Sequence, residues 1–72
     1  MNTKYSIGDV LVITTYYDEV FASNVKSIKV SDEGIFYTLA QLEDKNKPII
    51  VCENYQDDCF YNIAKKLGNI NN

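Results

Sequence analysis

The sequence has no histidine and no arginine, and both absences limit the chemistry available to it. Without histidine there is no imidazole to act as a general base or to bind a metal. The three glycines form no Gly-rich phosphate-binding loop, and no serine or cysteine has a recognisable base, so only lysine or a carboxylate could activate a nucleophile. The sequence therefore predicts a protein that is not an enzyme and holds no cofactor.

Cysteine is also scarce, with Cys52 and Cys59 seven positions apart. This spacing fits no pattern of metal ligands, so the sequence predicts no metal site. We interpret the two thiols as reduced side chains used as small hydrophobic residues in a reducing compartment. The alternative is a disulfide, which would require a turn that brings the two cysteines together.

Long apolar runs are absent, and no stretch approaches the roughly 20 residues that a membrane span needs. The residues 1–5 lack the basic start and long apolar segment of a signal peptide, so we expect a cytoplasmic protein with no membrane contact. A net charge of −3 disfavours a nucleic-acid partner, because such binding depends on neutralising phosphates. A nucleic-acid-binding protein would need its lysines on one side: Lys26, Lys29, Lys45 and Lys47.

The residues that are present indicate a single domain over 1–72, with nearly half of them apolar. Two runs rich in β-branched and aromatic residues flank the turn Ser31-Asp32-Glu33-Gly34 and predict a long β-hairpin. The predicted strands cover residues 9–17, 20–30, 34–42 and 48–53.

The side-chain alternation predicts which faces line the core. In the first strand both faces carry apolar residues, and we expect Val10 and Val12 to point inward. In the third strand the inward face is expected to be Ile35, Tyr37 and Leu39.

Two irregularities are expected in the central hairpin. Val25 and Ile28 are three positions apart, so strict alternation cannot bury both, and a β-bulge near Lys26-Ser27 would resolve the conflict. Such a bulge would also bend the second strand. Gly34 stands where the hairpin loop needs a positive φ.

The C-terminal region shows a change of period. Phe60, Ile63, Ala64 and Leu67 fall at i, i+3, i+4 and i+7, which predicts an amphipathic α-helix over about 58–67 with this face in the core.

The segment Tyr5-Ser6-Ile7-Gly8-Asp9-Val10-Leu11-Val12 resembles the opening of SH3-like barrels of the KOW and Tudor-like kind. The segments 25–28 and 34–39 are similar to the second and third strands of these barrels. The chain also resembles small proteins of bacteriophages and Firmicutes genomes that add a C-terminal helix to such a barrel. The resemblance implies a mainly β fold, a small SH3-like antiparallel barrel of four to five strands with a C-terminal α-helix.

Exposed aromatic and acidic residues indicate a partner-binding surface. Tyr16 and Tyr17 end the first strand and Tyr55 follows the fourth, positions that often border one groove in an SH3-like barrel. Beside Asp18 and Glu19, such a groove could hold a proline-rich or cationic peptide. The alternative is that the tyrosines cap the ends of the barrel with their hydroxyls in water. A negative patch is the second candidate surface, formed if these acids converge: Glu43, Asp44, Glu53, Asp57 and Asp58.

The sequence therefore predicts a non-catalytic protein-interaction module. The resemblance further implies a phage or mobile-element protein that binds and blocks a host protein in the host cytoplasm, for example as an anti-defence or anti-CRISPR type inhibitor. The alternatives are a small nucleic-acid-binding barrel and a module that sequesters a small molecule in an aromatic-lined pocket, expected at an oligomer interface rather than inside so small a barrel. Exposed strand edges would also allow a homodimer.

Overall fold

The computed structural model of the chain describes residues 2–44 and 46–70, which form five β-strands. The strands are β1 (Asp9–Thr15), β2 (Val20–Ser31), β3 (Gly34–Gln41), β4 (Ile49–Cys52) and β5 (Tyr61–Asn69). The prediction of a mainly β fold is confirmed. Nowhere in the described ranges is there a helix long and apolar enough to cross a membrane.

All strands belong to one antiparallel sheet with the order β4-β3-β2-β1-β5. The first four strands follow one another as hairpins, and β5 returns to pair with β1. This arrangement leaves β4 and β5 at the two edges. The sheet bends far enough for these edges to contact each other, although no hydrogen-bonded ladder joins them in the described part of the chain.

The bend is associated with the long strand β2, which pairs with β1 through its first half and with β3 along most of its length. Its register against β3 shifts between Val25 and Ser27. The predicted bulge near Lys26-Ser27 is therefore confirmed. The extra residue lets Val25 be fully buried while Ile28, three positions later, still packs against the core.

The core lies on the concave face of the sheet. Its largest fully buried side chains include Leu11, Ile13, Tyr37 and Leu39. The prediction for β3 is confirmed for Tyr37 and Leu39, with Ile35 packed against the core at its rim. The core is completed by Tyr5, Val25, Ile49 and Val51.

The prediction for β1 was wrong, because Leu11 and Ile13 point into the core while Val10 and Val12 are half-buried on the other face. Both faces of this strand are apolar, so alternation alone could not distinguish them. The larger side chains remove more apolar surface from water, which favours the observed orientation.

The predicted C-terminal helix was also wrong, because this segment is strand β5. Phe60 and Leu67 are 43% and 58% exposed, while Ile63 packs against the core. The pairing of β5 with β1 contains two register shifts, which leave Ala64 and Leu67 without direct partners. The apolar residues with helical spacing share no buried face, because Phe60 precedes the strand and Ala64 and Leu67 are exposed at the two bulges. The period alone therefore misled the prediction.

The turns that connect the strands follow their local sequence. Gly34 has a φ of 135° at the end of the β2–β3 turn, as predicted. Pro48 directly precedes β4, where it removes no hydrogen bond from the ladder.

Two networks of polar side chains fix the N-terminal segment to the sheet. The buried carboxylate of Asp9 accepts hydrogen bonds from Ser6 N at 2.8 Å and Asn69 Nδ2 at 2.8 Å, and it pairs with Lys66 Nζ at 3.3 Å. At the other network, Tyr37 donates its hydroxyl hydrogen to Glu53, which also accepts from the backbone N–H of Lys4.

Candidate functional site

The β1–β2 turn presents the first part of the candidate site. Thr15 is buried at the end of β1, and its Oγ1 accepts hydrogen bonds from the backbone N–H groups of Tyr17 at 3.3 Å and Glu19 at 3.1 Å. Asp18 adopts a positive φ of 61° between them, which an aspartate tolerates better than most residues. The hydrogen bonds of the buried Thr15 therefore fix the backbone of the turn, and the side chains of residues 16–19 are exposed to solvent.

Five aromatic rings form a continuous row beside this turn, which we call the aromatic row: Tyr16, Tyr17, Phe60, Tyr61 and Phe21. Successive ring centroids are 5.6, 5.9, 4.8 and 6.1 Å apart, and each pair meets nearly edge to face. Such contacts stabilise ring pairs beyond the area they bury. The backbone N–H of Tyr16 also donates to the carbonyl oxygen of Phe60 at 2.8 Å, which connects the turn to the start of β5.

The aromatic row is half open to solvent. Tyr16 and Tyr17 are 66% and 73% exposed, whereas Phe21 and Tyr61 pack against the core. The row therefore runs from the solvent to the edge of the core, with Phe60 in the middle. Exposed tyrosines held by neighbouring rings offer contact area at a low cost in conformational entropy.

A cavity of about 400 Å³ opens beside the row. Its apolar walls are the inner rings of the row and Val20, and its polar groups include Glu19, Gln41 and Lys47. The full lining is Thr15, Glu19, Val20, Phe21, Gln41, Lys47, Phe60 and Tyr61. Half of these residues are polar and half are apolar or aromatic, so the recess offers both kinds of contact to a ligand.

Acidic residues lie beside the aromatic row. A hydrogen bond with Asp57, together with the negative charges of Asp57 and Asp18, raises the pKa of Tyr55. The contacts of Tyr16 and Tyr17 with Phe60 place the β1–β2 turn next to the end of the loop between β4 and β5. Asp58 follows Asp57 in the same exposed loop.

The structure places most of the predicted partner-binding residues in one region. Tyr16 and Tyr17 belong to the row, Glu19 lines the cavity, and Asp18 and Asp57 influence Tyr55. Phe60, Tyr61 and Phe21 were missed as members of the site. The helix prediction had assigned Phe60 to the core, but the adjacent pair Phe60-Tyr61 after the turn-forming Asp57-Asp58 was a usable signal.

Two members of the second predicted surface, the larger acidic patch, interact with other residues of the chain. Glu53 is half-buried and accepts hydrogen bonds from Tyr37 and Lys4, which hold its pKa below the usual range. Asp44 pairs with Lys47 at 3.9 Å. These two carboxylates therefore already have partners within the chain.

The lysines required for nucleic-acid binding are dispersed in the part of the chain that the structure describes. Lys29 pairs with Phe36 near the β2–β3 turn, whereas Lys47 lies beyond the opposite end of β3. Lys45 falls outside the described residues. Within residues 2–44 and 46–70, no group of three or more cysteine or acidic side chains is placed to hold a metal ion.

Comparisons of this chain with models of protein families, with curated proteins and with solved structures found no match. The proposals below therefore depend on the geometry of this site and on the sequence.

Proposed function

We propose that this chain is a non-catalytic protein-interaction module that binds a basic or proline-rich segment of a partner protein. The observation that carries the proposal is the aromatic row, whose outer tyrosines are mostly exposed and whose inner rings line a cavity. Tyrosine is enriched among the residues that dominate binding energy at protein interfaces. The exposed rings of Tyr16 and Tyr17 lie outside the hydrophobic core.

The charges favour a cationic partner. Asp18 and Glu19 occupy the turn that carries the outer rings, and Asp57 lies in the loop between β4 and β5, which leads into Phe60. Aromatic faces attract lysine and arginine through their quadrupoles, and aromatic grooves also dock proline-rich segments. Lys47 at the margin of the cavity is paired with Asp44, which reduces its opposition to a bound cation.

The proposal extends to the fold and to the biological role. The strand order β4-β3-β2-β1-β5 and the bulge in β2 support an SH3-like barrel, in agreement with the resemblance noted in the sequence. A phage or mobile-element origin and a host protein as the blocked partner are also proposed, on the sequence resemblance alone.

An array of synthetic peptides tests the binding mode. Peptides rich in lysine and arginine, peptides with a Pro-x-x-Pro pattern and acidic control peptides would be probed with the full chain. Two variants would follow: Tyr17→Ser in the aromatic row and Ile50→Ser on β4, which is similarly exposed at 67% but lies outside the cavity lining.

We expect basic or proline-rich peptides to bind, and Tyr17→Ser to weaken this binding on the order of tenfold or more, as for a hot-spot residue. Ile50→Ser should bind like the parent chain. Equal binding by both variants would contradict the proposed surface. Failure of every peptide, together with salt-sensitive binding of nucleic acid, would favour the alternative of a nucleic-acid-binding barrel.

The cavity also favours a second candidate function, the sequestering of a small aromatic or apolar molecule. Its volume of about 400 Å³ falls in the range of small-molecule sites. Saturation of the cavity by such a molecule, without any peptide binding, would support this alternative over the first.

A further inference from the structure

The two cysteines flank the loop that joins β4 to β5. Cys52 is the last residue of β4 and Cys59 precedes Phe60 of the aromatic row. Both thiols are free and half-buried. The two cysteines therefore stand at opposite ends of one loop, which can bring their side chains near each other.

The side-chain amide of Gln56 bridges the two sulfur atoms. Its Nε2 donates to Cys52 Sγ at 3.5 Å, and the Cys59 thiol donates to its Oε1 at 3.0 Å. The sulfurs are therefore separated by no more than the width of one carboxamide group and its two hydrogen bonds. A turn with a hydrogen bond of 3.2 Å from Cys59 N to Gln56 O brings Cys59 back toward β4.

We propose that Cys52 and Cys59 form a reversible intramolecular disulfide in place of the Gln56 bridge. The oxidant is a low-molecular-weight disulfide such as oxidised glutathione. One cysteine thiolate attacks this disulfide, giving a mixed disulfide and releasing one thiol. The other cysteine then attacks the protein sulfur of the mixed disulfide, closes the Cys52–Cys59 bond and releases the second thiol.

The reaction balances without a further reagent. In the protein two S–H bonds are lost and one S–S bond forms, so the protein is oxidised by two electrons. In the oxidant one S–S bond is broken, and its two sulfur atoms take up the electrons and the two protons.

Disulfide formation requires a local rearrangement. The Cα atoms of a disulfide are usually about 4.4 to 6.8 Å apart, which leaves no room for a carboxamide between the sulfurs. Gln56 must therefore move out and the loop must draw toward β4. Tyr55, Asp57 and Asp58 are exposed in this loop and belong to no ladder. The backbone of Gln56 is held by the buried Asn62, which accepts from its N–H and donates to its carbonyl oxygen at 3.0 Å each, so it is the Gln56 side chain that swings out.

The disulfide would alter the candidate binding surface, and this consequence rests on the proposed function. Cys59 is bonded directly to Phe60, whose carbonyl oxygen holds the N–H of Tyr16. Drawing Cys59 toward β4 pulls on the centre of the aromatic row and moves Asp57 relative to Asp18. The oxidised and reduced forms would then differ in affinity for the partner.

The test is a redox titration of the full chain in the absence of any partner. The folded protein would be equilibrated with graded ratios of reduced to oxidised glutathione, quenched with acid, alkylated and weighed by intact-mass spectrometry. We expect a species lighter by two hydrogen atoms that has lost both alkylation sites, and its reversal on adding reduced glutathione. Cys52→Ser and Cys59→Ser should each abolish this species.

Gln56→Ala gives a second check, because removing the side-chain bridge should increase the rate at which the disulfide closes. Gln41→Ala is the matched control: Gln41 lies outside the loop, so its replacement should leave this rate unchanged. Stable glutathione adducts, disulfide-linked dimers, or two reduced thiols at the most oxidising ratio would each overturn the proposal. Since no partner is present, this outcome is independent of the peptide array. A disulfide that forms without changing peptide binding would confirm the site and remove only its link to the proposed function.

Discussion

At the scale of single residues, the fold depends on polar groups that are buried together with their partners. Tyr37 is fully buried, yet its hydroxyl lies at the end of β4, where it donates to Glu53 and accepts from the backbone N–H of Tyr5 at 3.1 Å. Burial, followed by the hydrogen bond to Glu53, raises the pKa of Tyr37 to about 12. The ring fills the core while its oxygen secures the N-terminal segment, so one side chain performs two structural tasks.

Replacing Tyr37 by phenylalanine should therefore be costly although it removes a single atom. The change leaves the N–H of Tyr5 without its acceptor and removes one of the donors to Glu53, and such losses cost about 1 to 3 kcal/mol. Urea unfolding would measure the difference. Tyr17→Phe provides the matched control, because that side chain is 73% exposed, and its stability should stay within about 0.5 kcal/mol of the parent chain. Equal stabilities for the two variants would show that the Tyr37 hydroxyl is dispensable.

The carboxylate of Asp9 makes stability depend on pH. Burial opposes its ionisation, but hydrogen bonds from Asn69 and Ser6 and the pairing with Lys66 lower its pKa below the ordinary value of 3.8. A group whose pKa is depressed by folding contributes its full stability above the unfolded pKa and loses it as pH falls through the folded value. Stability should therefore be constant from pH 7 to about pH 5 and decline below about pH 4.

Asp9→Asn isolates this contribution. The variant should be less stable than the parent chain at pH 7, and its stability should fall less steeply between pH 5 and pH 2. Glu53, whose pKa is lowered by Tyr37 and by the N–H of Lys4, remains in the variant and preserves part of the slope. Unfolding free energies at a series of pH values would show this. A variant with an unchanged slope would contradict the role given to Asp9.

At the scale of strands, the sequence was informative wherever local chemistry and core packing agree. The Ser31–Gly34 turn, the bulge between Val25 and Ser27 and the inward face of β3 could all be predicted from alternation and turn residues. The identity of β5 could not, because Phe60, Ile63, Ala64 and Leu67 have the spacing of an amphipathic helix although only Ile63 among them packs against the core. What decides its structure is non-local: without β5 the edge of β1 would be left with unpaired backbone groups, and a helix cannot pair with them. The same error concealed Phe60 as part of the candidate site.

A pair of truncations distinguishes the strand from the helix. Ile63 packs against the core, while Leu67 is 58% exposed at a bulge, yet a helix would place both residues on one buried face. Ile63→Ala should cost on the order of 1 to 3 kcal/mol, and Leu67→Ala should stay within about 0.5 kcal/mol of the parent chain. Urea unfolding of the two variants makes the comparison. A similar large loss of unfolding free energy in both variants would indicate that the segment is a helix after all.

At the scale of the whole molecule, charge and shape act together at one end of the bent sheet. The chain carries a net charge of −3, and two of its four acidic pairs stand at turns that are remote from each other in sequence. Asp18-Glu19 lies beside the aromatic row, whereas Asp32-Glu33 lies in the β2–β3 turn. If only the net charge attracted a basic partner, the two acidic pairs would contribute equally to its affinity. The proposed site requires that Asp18-Glu19 contribute more than Asp32-Glu33.

Two double variants separate these possibilities, because each removes two negative charges from a different end. Asp18→Asn with Glu19→Gln should slow association with a basic peptide and weaken binding several-fold, with a smaller dependence on salt. Asp32→Asn with Glu33→Gln changes the net charge equally and should leave affinity nearly unchanged, since charges more than about 10 Å from a bound ligand are largely screened at 0.1 M salt. Association rates and affinities measured at several salt concentrations would compare them. An equal loss of affinity in both double variants would mean that the peptide responds to the net charge of the whole molecule. That result would contradict the placement of the binding site at the aromatic row.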